Sequence, residues 1–439
     1  MGGASTQPGT IDKDAVASVL DERIDWRFKG MPAALAGTTI GAARDRGLNL
    51  FRDGFLAPLL VLDEPAIEHN LTTMASWCAS RGLALAPHGK TTMAPQLFAR
   101  QLEHGAWGMT TANASQLRVY RAFGVSRILL ANQLVDPAGL RWLAAELDHD
   151  PDFGFSCWVD SLAGVSLMDR VLREAGVQRP VDVMVELGAA GGRTGARDLP
   201  TAHAVAEAVL ASPVLRLVGV GGYEGAVTHS TSADALSLVD SYLTTLRELA
   251  IELAKRGHFT GLDEVIVTAG GSTYFDLVAN MLTEPWPDGL PVLPVLRSGA
   301  YVTHDDGLYR RTSPLGEHLR ISAPPLRSAL RAWAQVTSHP STDLALLTVG
   351  KRDVPYDIDL PEPVLIRSES GTSSLTGCRI NELNDQHAFL GIGDEARVEV
   401  GDWVGLNLSH PCTTFDKWQL IPMVGADGET VVDLIRTFF

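Results

Sequence analysis

A chain of 439 residues, 45% hydrophobic and 20% charged, carries enough apolar material for two or three packed domains of about 150 residues each, which excludes disorder as its default state. Its formal net charge of −16 excludes the basic face that nucleic-acid binding requires. No apolar run approaches the roughly 18 residues of a membrane span. The polar, glycine-rich start has no leader pattern, and Cys78, Cys157, Cys378 and Cys412 show no paired spacing, so a cytoplasmic, reducing setting is expected.

Residues 1–54 read as an N-terminal extension with one helix over 13–27. A rhythm of short apolar runs, most with a helical stretch behind, then begins. The runs cover 59–62, 83–86, 106–111, 127–131, 153–159, 181–187, 215–221 and 264–269. His104-Gly105, Phe123-Gly124 and Arg256-Gly257 read as helix C-terminal stops, because glycine accepts the left-handed backbone found there. Eight near-continuous apolar strands alternating with helices predict an α/β fold, a TIM-type (β/α)8 barrel over 55–299. An open doubly wound sheet is the alternative, but no Gly-x-Gly-x-x-Gly follows the first run. After Pro291 the helical period fades. Runs at 330–336, 344–349, 396–400, 403–408 and 418–424 predict a C-terminal all-β domain over 300–439.

Barrels of this type carry their chemistry at the C-terminal ends of the strands. The second run ends in Pro87-His88-Gly89-Lys90-Thr91-Thr92. An amine placed there and freed of water adds to an aldehyde, whereas the plain alternative is a solvated surface lysine. The eighth run ends in Gly270-Gly271-Ser272-Thr273, before a helix expected over 274–282. Two glycines let backbone approach a ligand, and amides and hydroxyls at a helix start bind phosphate; an ordinary helix cap is the alternative. Tyr223, after the seventh run, and Arg193, past the sixth, are candidates to contact a pyridine ring and its phenolic oxygen, or else are packing and capping residues. Downstream, His410 and Cys412 stand one residue apart. Imidazole and thiolate suit Zn²⁺, and two protein ligands describe an open, catalytic type of site; the alternative is a buried thiol beside a capping histidine. His304, Asp305, Asp306 and His387 are polar residues of the β-domain that line a pocket or sit in water.

The segment Pro87-His88-Gly89-Lys90-Thr91 resembles the lysine motif of the fold-type III pyridoxal-phosphate enzymes related to D-serine dehydratase and D-threonine aldolase. Gly105-Ala106-Trp107-Gly108 and Ile128-Leu129-Leu130-Ala131-Asn132 are similar to that group's next two strands. His410-Pro411-Cys412 resembles the zinc-binding end of the dehydratase branch, and Leu296-Arg297-Ser298-Gly299-Ala300-Tyr301 the segment that leaves the barrel and closes the cofactor pocket. The likeness spans roughly 58–424. It implies an alanine-racemase-like barrel with pyridoxal 5′-phosphate held as a Schiff base on Lys90, its phosphate at Gly270, Gly271, Ser272 and Thr273, and Arg193 and Tyr223 beside the ring. It implies Zn²⁺ on His410 and Cys412, and a homodimer in which this metal pair serves either its own subunit's site or that of the partner.

The activity implied is a lyase reaction on a small D-amino acid with a β-hydroxyl. Lys90 would take the α-proton and zinc would help the hydroxyl depart, leaving a keto acid and ammonia, with D-serine as the simplest substrate. Retro-aldol cleavage to glycine and an aldehyde is the second reading. Cys412 favours dehydration, since the aldolase branch tends to carry a carboxylate at that position. Racemisation, and a non-catalytic pyridoxal-phosphate carrier, are further alternatives. The chain departs from the family pattern at Ala86, where arginine is common, and at Thr92 and Met93, where a second histidine and lysine are common.

Overall fold

The computed structural model describes residues 7–439. It divides into two compact units. The first comprises the described part of Met1–Asp12, with Met74–Lys90 and Phe98–Gly299; the second comprises Lys13–Thr73, Thr91–Leu97 and Ala300–Phe439. Strands are numbered in chain order from β1 (Leu59–Asp63) to β18 (Val431–Arg436).

The first unit is built on eight parallel strands: β2 (Ala84–Leu85), β3 (Met109–Thr111), β4 (Arg127–Gln133), β5 (Gly154–Val159), β6 (Val181–Leu187), β7 (Leu215–Gly222), β8 (Val265–Ala269) and β9 (Val292–Leu296). Their order is β2-β9-β8-β7-β6-β5-β4-β3. The two end strands meet. Trp107 donates its amide to Leu85 at 2.7 Å, Thr110 donates to Pro87 at 2.9 Å, and His88 bridges Thr110 in parallel. The sheet therefore curls back on itself, as the alternation of strand and helix predicts. Strands β5 and β6 are buried along nearly their whole length, which a sheet covered by helices requires.

Local chemistry sets where the covering helices start. Asn113, Asp136, Ser161, Asp198 and Ser232 each cap a helix by accepting an amide of its first turn. Gly105, Gly124 and Gly257, expected as stops, all adopt positive φ.

The barrel has the expected eight strands, but one of them is different. The run at 59–62 is β1, and it lies in the sheet of the second unit. There it pairs antiparallel with β10 (Leu330–Ser341) and parallel with β17 (Leu420–Val424). The eighth barrel strand is β9, which Pro291 and Pro294 disguise in the sequence. A strand buried on both faces reads alike in either sheet, so periodicity alone does not separate them.

The second unit holds a ten-stranded sheet. Its main path runs β13 (Gly371–Ser374), β12 (Glu362–Ser368), β16 (Trp403–Asn407), β10, β1, β17, β18. The remaining strands are β11 (Leu344–Leu347), β14 (Arg379–Leu383) and β15 (Ala388–Gly391), joined to it through β10. The segment 396–400, expected as a strand, forms none, and Val400 is exposed.

The expected helix at 13–27 is helical only over Lys13–Ser18, followed by a 3-10 turn at Val19–Asp21. Beyond it the chain is held flat by Ile24, whose amide donates to Thr38 at 2.9 Å. Ile24, Phe28, Met31, Leu35, Ile40, Leu50 and Phe55 pack with Leu59, Trp333, Leu420 and Leu434 in one core. Lys29 adds an ion pair to Asp353 at 2.9 Å and sits 3.8 Å from the centre of the Trp418 ring. Residues from Lys13 to β1, read in the sequence as an extension, thus belong to the β-sheet unit and contribute to its core.

Candidate active site

In the first unit, the C-terminal ends of the parallel strands bring most of the expected residues to one end of the barrel. Lys90 follows β2, half-buried on a short 3-10 turn, Gly89–Thr91. Tyr223 follows β7, and Gly270 to Thr273 follow β8, at the same end of the sheet. Arg193 is exposed beyond β6, with its guanidinium 4.8 Å over the Tyr223 ring.

His88 reports how these groups are grouped. Its imidazole is held well below its ordinary pKa, first by burial and then by the positive charges of Lys90, Arg297 and Arg193. Its Nδ1 is buried without a partner among the described residues. Three cations gathered at the mouth favour an anionic ligand.

Two residues at this end carry more than the sequence suggested. Arg297, after β9, is buried and donates to Thr268 Oγ1 at 2.7 Å and to the Gly222 carbonyl at 2.6 Å. It lies 4.8 Å from the Trp158 ring, and burial pulls it down to about 10. Glu224 is fully buried and accepts the amides of Gly270 at 3.0 Å and Gly271 at 2.7 Å. Those two amides, expected to meet a phosphate, are instead engaged by a carboxylate. Burial raises Glu224 above its ordinary range, partly offset by those two amides and by Arg297.

Gly270 has φ +124°, and a Cβ there would stand 2.7 Å from Leu296. A Cβ on Gly271 would stand 3.0 Å from Tyr223 Cε2. The positive φ makes Gly270 a glycine position, while a side chain at Gly271 would require the Tyr223 ring to give way. The helix behind it is Phe275–Thr283, with Tyr274 at its N-cap and no side-chain cap. Glu186, at the end of β6, is buried and accepts from Gln133 at 2.5 Å and Thr194 at 2.9 Å. Arg297 escaped the sequence reading as a site residue because its strand was not counted. Glu224 stood within a motif already noted but had no visible reason to be buried.

In the second unit, His410 and Cys412 do come together. The chain at His410 is left-handed, with φ 51° and ψ 80°. Asp305 is buried and accepts the amides of Gly307 at 2.8 Å and Tyr309 at 2.9 Å. The Cys412 thiol lies within hydrogen-bonding reach of the His410 ring. Contact with that thiol, and then with Asp357, raises the imidazole to about 9 against the opposing pull of burial. Thr91, the residue after Lys90 in the chain, has its hydroxyl 3.2 Å from Cys412 Sγ. Among the described residues, no cluster of three or more His, Cys, Asp or Glu is arranged as a metal site. A thiol and an imidazole in mutual reach are nonetheless a donor set that fits Zn²⁺ in an open site.

His304 is buried at φ 48°, and burial lowers it to about 4. The unfolded chain takes up this proton near 6.5 while the folded one does not, so stability is full above that pH and lost as pH falls. Between pH 7 and pH 5 this costs about 2 kcal/mol. Urea midpoints at the two pH values should differ less in His304→Asn, which keeps a residue suited to positive φ.

The model of a putative serine dehydratase domain matches residues 329–424. A D-threonine aldolase of Arthrobacter sp. is 27% identical over 370 residues, covering 82% of this chain and 86% of that protein. The D-threonine aldolase structure from Filomicrobium marinum superimposes with a TM-score of 0.73 at 24% identity, over 87% of this chain and 95% of that one. Together these likenesses support the resemblance to the fold-type III pyridoxal-phosphate enzymes, and the solved structures share the chain's fold. Another structure of the same fold, with a TM-score of 0.70 at 21% identity, is a cysteine-to-alanine variant of D-threo-3-hydroxyaspartate dehydratase in the metal-free form. It covers 88% of this chain and 98% of its own.

No helix among the described residues is long and apolar enough to cross a membrane.

Proposed function

We propose that the chain is a pyridoxal-phosphate lyase acting on D-amino acids with a β-hydroxyl. The observation that carries this reading is the grouping of Lys90, Arg193 and Arg297 around His88, at the strand ends that also present the Gly270–Gly271 turn. These residues fit the cofactor: a half-buried amine to bond it, cations to meet its phosphate beside Ser272 and Thr273, and Tyr223 with Arg193 to flank a ring. Bound there, pyridoxal phosphate supplies an electron sink for bond breaking at the substrate's Cα. Lys90 takes the α-proton at its Nζ. Arg297 and Glu224, both closed off from water, hold the floor of the mouth in one arrangement. His410 and Cys412 would hold zinc, which would supply Lewis-acid chemistry toward a β-hydroxyl. The protein works as a homodimer in this reading.

Two reactions use the same parts. Dehydration to a keto acid and ammonia is favoured by the thiol at position 412, together with the match of the serine dehydratase model to the segment that contains it. Retro-aldol cleavage is favoured by the likeness to D-threonine aldolase across most of the chain. D-threonine separates them, since dehydration yields 2-oxobutanoate and ammonia while cleavage yields glycine and acetaldehyde. We expect keto acid and ammonia from the zinc-loaded protein with D-serine or D-threonine. Glycine with aldehyde would assign the aldolase reaction, and no product from either substrate would overturn the lyase reading.

A further inference from the structure

Asp357 belongs to no motif in the sequence and lies in the connection between β11 and β12. Its Oδ2 is 2.5 Å from Nδ1 of His410, and its Oδ1 accepts the Thr413 hydroxyl at 2.8 Å. The Thr413 hydroxyl is itself 3.3 Å from Nδ1. Both carboxylate oxygens are therefore engaged, one of them on the ring nitrogen of the proposed metal ligand. An ordinary surface ion pair would contribute little, because water competes for both partners. This one differs in where it sits. The backbone at His410 adopts a left-handed bend, with φ 51° and ψ 80°, so what remains to be set is the rotation of the ring about its own bonds.

A carboxylate at Nδ1 keeps the proton on that nitrogen, which puts the lone pair of the neutral ring on Nε2. We propose that Asp357 is a positioning residue: it fixes the tautomer and the orientation of His410, so that Nε2 is the atom that binds the metal. Thr413 holds the second oxygen of Asp357 and so sets the angle at which the carboxylate meets the ring. Asp357 is not itself a ligand in this arrangement, as neither oxygen is turned away from His410 and Thr413. The proposal rests on the metal reading given above and adds to it the residue that orients the ligand.

The test is zinc affinity, measured by chelator competition on the purified full chain without substrate. Asp357→Ala should weaken zinc binding by about 10- to 100-fold, the usual cost of losing such an orienting partner. Asp357→Asn should lose less, because its amide oxygen still accepts from Nδ1–H. Both variants should melt with the wild type when stripped of metal, since this side chain is 41% exposed. Histidine-selective ¹⁵N spectra of the metal-free protein should show His410 protonated at Nδ1 when neutral in the wild type, and a mixture of tautomers in Asp357→Ala. Unchanged zinc affinity in Asp357→Ala, with loss in His410→Ala and Cys412→Ala, would overturn the role of Asp357 alone. Unchanged affinity in His410→Ala as well would overturn the metal reading and this proposal together.

Discussion

Lys90→Ala should abolish turnover, by about 10³-fold or more, because it removes both the group that bonds the cofactor and the base that takes the α-proton. The same variant should lose the visible absorbance of a cofactor bonded to lysine. Folding should hardly change: Lys90 is half-buried on a turn, and substitutions outside a core or network stay within about 0.5 kcal/mol. Lys90→Arg, which keeps the charge but offers no nucleophilic amine, should be as inactive as the alanine variant. A Lys90→Ala protein that retains a tenth of wild-type activity would remove lysine from the chemistry.

Glu224→Ala should produce the largest loss of stability, about 3 kcal/mol in a urea titration. Truncation leaves the amides of Gly270 and Gly271 without their acceptor, and it removes the nearby anion from a buried Arg297. Glu224→Gln should lose less, because one carbonyl oxygen still accepts one of the two amides. The pH response adds a signature. Burial raises the Glu224 carboxyl above its ordinary value of 4.5, so the folded chain keeps this proton at pH values where the unfolded chain has released it. Its contribution is therefore fullest below 4.5 and declines as pH rises through the folded value. Glu224→Gln should lack that decline. Equal urea midpoints for Glu224→Ala and the wild type would show that the carboxylate holds nothing in place.

The barrel could be read from the sequence because its strands are buried on both faces and its helices carry strong local signals. Asn113, Asp136 and Ser161 mark starts, while Gly105, Gly124 and Gly257 mark ends, and each does so through its own backbone chemistry. Membership of a sheet is a different matter. β1 and β9 exchange places between expectation and structure because pairing is decided by distant segments: Leu59 faces Trp333, and Ala84 faces Val295. The second unit was harder still. Half of its strands went unrecognised, among them β13 and β14, whose largely polar residues give no apolar run.

The candidate site shows the same division. Lys90, Tyr223, the Gly270–Thr273 turn and the His410-x-Cys412 pair stand in short motifs, and short motifs are visible in a chain. Arg297, Glu224 and Asp357 matter through partners far away in sequence. Asp357 reaches His410 across 53 positions, and Glu224 reaches Gly270 across 46. Nothing local distinguishes such residues from solvated charges.

Peptide mapping after borohydride reduction tests the central claim most directly. The protein is loaded with pyridoxal phosphate, reduced so that the cofactor stays on the lysine it is bonded to, digested, and read by mass spectrometry. The expected result is one modified peptide, the one containing Lys90. Modification at another lysine, such as Lys29 or Lys351, or none at saturating cofactor, would contradict the account.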